Sequence, residues 1–68
     1  MKILKMYFYT KAELNKIFSL LLDAGYSNWT LEALYHCDHN YGLTIEDEFI
    51  DSAIEIAKET GTDCVEIF

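Results

Sequence analysis

The sequence predicts a small α/β domain in β-α-α-α-β order, with a two-stranded sheet packed by three helices. Three observations lead there. An alternating apolar run opens the chain, stripes with helical spacing and capping residues fill its middle, and a glycine followed by a short apolar run closes it. Two strands joined through helices favour parallel pairing with a right-handed crossover.

The first strand is expected over residues 2–9, where Leu4, Met6 and Phe8 share one face and Lys5, Tyr7 and Tyr9 the other. Thr10-Lys11-Ala12-Glu13 has the spacing of a capping box, in which the threonine hydroxyl accepts from the Glu13 amide and the glutamate reaches back. The first helix then runs to about residue 24 with Leu14, Ile17, Phe18, Leu21 and Leu22 as its stripe, and Gly25 stops it. Ser27 or Asn28 can cap a second helix over 29–39, with Leu31, Leu34, Tyr35 and Asp38 on one broad face. Asn40-Tyr41-Gly42 is turn chemistry. Thr44 is read as the cap of a third helix over 44–60, with Asp47 in the box position and acids in the first turn. Gly61 ends that helix, and residues 63–68 form the last strand. A two-stranded sheet is thin, so either the helices supply most of the core or a second copy completes the sheet as a homodimer through its edge.

Charge narrows the function. From Thr30 onward there are ten acids against Lys58 alone, while Lys2, Lys5, Lys11 and Lys16 precede them, and the net charge is -7. Such a field favours encounter with a positively charged protein and disfavours direct binding to nucleic acid or an anionic membrane. The chain has no arginine, which removes the usual bidentate clamp for phosphate. Sixty-eight residues make one domain with little room for an enzyme pocket. No enzyme activity and no cofactor are expected. The opening apolar run is too short for an export signal or a membrane span, so a cytoplasmic location is expected, with Cys37 and Cys64 reduced and buried.

Leu31-Glu32-Ala33-Leu34-Tyr35-His36-Cys37 resembles the second-helix pattern of the barstar family, and residues 57–63 are similar to that family's last helix. The resemblance implies a small intracellular inhibitor that plugs the active site of a basic ribonuclease with the second helix and the loop before it. Carried over by position, Tyr26 lies in that loop, Glu32 is an acidic contact and Tyr35 is the helix aromatic. The family's central aspartate falls on His36, and a neutral imidazole does not replace a carboxylate against cations, so Asp38 or Glu32 would have to stand in. The family's middle strand is expected to be missing, because residues 40–43 span that gap.

Asp47, Asp51, Glu55 and Glu59 recur every four residues, about 6 Å apart along a helix. That is comparable to the spacing of phosphates along a polynucleotide strand. With Tyr26, Trp29, Glu32, Tyr35, His36 and Asp38 they make up the expected partner-binding set. His36 and His39 are three apart and could share a transition ion in a metal-binding regulatory module, but the ligand count does not close. Residues 38–49 have oxygen ligands on alternate positions, as in a calcium loop. Leu43 stands where glycine is needed, however, and Phe49 where a bidentate glutamate is needed. The function expected is therefore inhibition of a basic nuclease or nucleic-acid-handling protein by phosphate mimicry. A phage-type, anti-CRISPR-like inhibitor of a host defence nuclease is the alternative.

Overall fold

Among the described residues six elements follow one another: β1 (Lys2–Phe8), α1 (Lys11–Asp23), β2 (Trp29–Ala33), β3 (Tyr41–Asp47), α2 (Asp51–Glu59) and β4 (Val65–Ile67). The computed structural model describes residues 1–34, 38–62 and 64–68. The strands form one sheet in the order β2-β3-β1-β4, and every neighbouring pair is antiparallel. β3 sits between β1 and β2, and β1 sits between β3 and β4. Two split β-α-β units therefore interleave in the ferredoxin-like manner.

This overturns the expected fold of a two-stranded parallel sheet packed by three helices, and with it the barstar-like order. Residues 29–33 are a strand and not part of a helix, and the middle strand expected to be missing is present as β3. The reason is a period of two that outweighs the helical cues. Tyr41, Leu43 and Ile45 alternate with Gly42, Thr44 and Glu46, which suits a strand with one buried face. Thr44, expected as a helix cap, lies in mid-strand opposite Lys5 of β1, and Asp47 closes the same strand opposite Lys2. Trp29, Leu31 and Ala33 alternate with Thr30 and Glu32 and pair with β3, so tertiary pairing wins over the local preference of Leu-Glu-Ala for helix.

β1 and α1 lie where the pattern places them. Leu4, Met6 and Phe8 point into the core with Leu43 and Ile45 of β3, Leu14, Ile17 and Leu21 of α1, and Ala53 and Ala57 of α2. Both helices cover this one face of the sheet. Thr10 caps α1: its hydroxyl accepts from the Glu13 amide at 3.2 Å and donates to the Glu13 carboxylate at 2.9 Å. Gly25, at φ 97°, turns the chain out of the helix in a conformation that a side chain would strain.

α2 starts differently. Ile50 stands at its N-cap and offers no side-chain oxygen. The phenol of Tyr26, which follows α1, accepts instead from the Ala53 amide at 3.1 Å and donates to the Phe49 carbonyl at 2.8 Å. Asp47 shapes the entry, accepting from the Phe49 amide at 3.0 Å. None of the described helices is long and apolar enough to cross a membrane.

Candidate functional site

Asp51, Glu55 and Glu59 lie at successive four-residue steps along α2 and all are exposed. A helix brings such residues to one face, with about 6 Å of rise between neighbours. Asp51 sits in the first turn, where the helix dipole favours it, and Lys58 lies in the last. Asp47 is not part of this row. It belongs to β3, is half-buried, and its carboxylate is engaged by the Phe49 amide. Exposed Glu48 follows it in the turn before α2.

The face of the sheet without helices carries a second set of acids. Residues opposite one another in register share a face. Glu32, Gly42 and Tyr7 therefore form one row, and Thr30, Thr44, Lys5 and Glu66 a second. Glu46 is opposite Ile3 in the third. Lys5 places its ammonium 5.3 Å from the centre of the Phe68 ring, a cation–π contact across the β1–β4 side. Gly42 leaves a notch of about 180 Å³ bordered by Lys5, Tyr7, Glu32 and Leu34. Glu46 and Glu66 belong to no helical stripe. Their signal is the two-residue alternation of β3 and β4.

Among the described residues, the remaining expected contacts do not converge. Tyr26 is buried and serves as the cap of α2, so it presents no surface to a partner. Trp29 begins β2, 41 % exposed, with its ring edge-on to Phe18 at 4.7 Å. Glu32 is on the same strand but the opposite face of the sheet, since three positions separate it from Trp29. Asp38 is exposed in the connection between β2 and β3. Tyr35, His36 and Cys37 lie outside the described residues, as does Asp63.

His39 stacks on Tyr9 with ring centres 4.1 Å apart and lies 6.2 Å from Tyr7. Its Nε2 is buried without a hydrogen-bond partner among the described residues. Among those residues no group of three or more histidines, cysteines or acids could hold a metal ion. The His36 half of the expected metal pair is outside them. Cys64 is free and half-buried. The segment expected to resemble a calcium loop runs directly into β3 from Tyr41 onward, which gives it an extended backbone in place of a loop's curvature. No protein-family model matches the chain, and no curated protein matches its sequence at a significant level.

Proposed function

We propose that this protein is an acidic binding protein that occupies a cationic groove of a basic nuclease or other nucleic-acid-handling protein, with the exposed face of α2 in place of a polynucleotide backbone. The observation that carries this reading is the row Asp51, Glu55 and Glu59, three exposed carboxylates on one helix face. Like charges four residues apart cost a helix a few tenths of a kcal/mol per pair, which stability alone does not favour. Against a groove of lysines and arginines the same row gains charge-assisted hydrogen bonds and steers association. Glu48, also exposed, precedes the row in sequence. The binding residues are thus the α2 acids, with Glu32 and Asp38 on other surfaces of the molecule.

The test is capture from the native cell with the wild-type chain and with a variant carrying Asp51→Lys, Glu55→Lys and Glu59→Lys. The expected partner is basic, is lost with the triple variant, and is displaced from the wild type by single-stranded polynucleotide. Its association rate falls steeply with added salt. A captured partner that the triple variant retains, or that polynucleotide does not displace, would defeat the proposal.

A further inference from the structure

β2 is an edge strand, and all five of its residues are exposed. Its backbone groups divide cleanly between two sides. The Leu34 amide donates to the Asn40 carbonyl, and the Glu46 amide donates to the Asn28 carbonyl. Even-numbered residues of this stretch therefore turn their N–H and C=O toward β3. Trp29, Leu31 and Ala33 turn theirs outward, to a side where no described strand pairs with them.

Those three positions are symmetric about Leu31. We infer that β2 pairs antiparallel with β2 of a second copy of this chain, Leu31 against Leu31, joining two sheets into one of eight strands. In that register Trp29 faces Ala33 of the other copy and Ala33 faces Trp29. All three outward pairs then become hydrogen-bonded, giving about six ladder bonds. Thr30 falls opposite Glu32 of the other copy on the open face, a neutral donor against a carboxylate. Sliding the register by two residues in either direction loses one of the three pairs. In one direction it also sets Glu32 against Glu32, which is destabilising.

The side chains agree with this occupant. Leu31 is 42 % exposed and Trp29 41 %, both on the face that the helices cover elsewhere. Phe18 touches Trp29, and Leu22, one turn further along α1, is 45 % exposed. This apolar border is interrupted where the sheet ends and resumes across the symmetry axis. The pairing is isologous and closes at two copies.

The other edge does not have this property. Ile3 and Phe68 exchange both backbone bonds, so Val65 and Ile67 are the outward residues of β4. Self-pairing that uses both would put Glu66 directly against Glu66, and β4 has only three residues.

Each chain carries a net charge of -7, so added salt should strengthen this dimer while it weakens binding to a basic partner. Sedimentation from low to high micromolar concentration should show a reversible monomer–dimer equilibrium. Emission from Trp29, the only tryptophan, should move to the blue as the dimer forms. Thr30 is exposed, so Thr30→Lys and Thr30→Glu should both leave the monomer folded, as circular dichroism would verify. Thr30→Lys places a cation opposite Glu32 of the other copy and should tighten the dimer about fivefold; Thr30→Glu should weaken it about tenfold. A wild-type chain still monomeric at millimolar concentration overturns the inference, as does a dimer of equal affinity in both Thr30 variants. A chain that stays monomeric while an added extended peptide protects the amides of Trp29, Leu31 and Ala33 would show a foreign strand as the occupant, and the inference would again fail.

Discussion

The two helices lie side by side on the same face of the sheet and are built on different terms. α1 brings three large side chains into the core, Leu14, Ile17 and Leu21, and its own flanking threonine caps it. α2 buries only Ala53 and Ala57 fully, with Ile54 and Ile56 half-buried, and the hydroxyl that caps it comes from Tyr26, far back in the chain. Small residues let α2 lie close, but they contribute little apolar area. Stability is therefore concentrated in β1, α1 and β3, while α2 is held more lightly and carries the exposed carboxylates. A surface that is electrostatically costly to maintain sits on the helix that contributes less to the core.

Side-chain truncation should expose the asymmetry most. Ile17 is 1 % exposed, and Ile17→Ala is expected to cost about 3 kcal/mol through lost transfer energy and a residual cavity. For a domain of this size that is a large share of total stability. Ile54→Ala on α2 removes the same atoms from a half-buried site and should cost about 1 kcal/mol. Urea unfolding of both variants measures the ratio. Equal losses would show that the helices share the core evenly.

Replacing the remote cap is the next largest effect. Tyr26→Phe keeps the ring and removes the hydroxyl, which leaves the buried Ala53 amide and the Phe49 carbonyl without that partner. The expected cost is about 1.5 kcal/mol. Hydrogen exchange should quicken first at the amides of the first turn of α2, with α1 unaffected. Uniform acceleration across both helices would mean that Tyr26 acts through the core and not as a cap.

The contrast also explains which parts of the fold were legible. β1 and α1 are specified by neighbours in sequence: the alternation from Leu4 to Phe8, then Thr10 and Glu13 three apart, then Gly25. The start of α2 is specified by a residue 27 positions before Ala53, and no local pattern announces such a cap. Thr44 and Asp47 offered a false local cap in its place. The alternation of Tyr41, Leu43 and Ile45 was the competing signal, and it becomes decisive only once Leu4 and Met6 lie opposite as partners. Of the candidate site, the part on α2 was legible, because Asp51, Glu55 and Glu59 keep helical spacing. The open-face rows of Glu32, Glu46 and Glu66 were not, because strand register alone brings them onto one face.

The smallest expected change in stability tests the comparison most sharply, because its sign is opposite to its effect on binding. Glu55→Lys converts two like-charge pairs on α2 into opposite-charge pairs, one with Asp51 and one with Glu59. The pair with Asp51 has the better orientation, since the acid precedes the base. Lys58, three residues further on, offsets part of the gain by repelling the new cation. The net effect should be a stabilisation of about 0.5 kcal/mol, visible at low salt and fading as salt screens it. Binding to a basic partner should fall at the same time, because the middle carboxylate of the row has become a cation. An α2 kept only as a cover for the core would gain stability from this change and lose nothing. A variant that is both more stable and unimpaired in binding would therefore remove the reason for assigning α2 a role beyond packing.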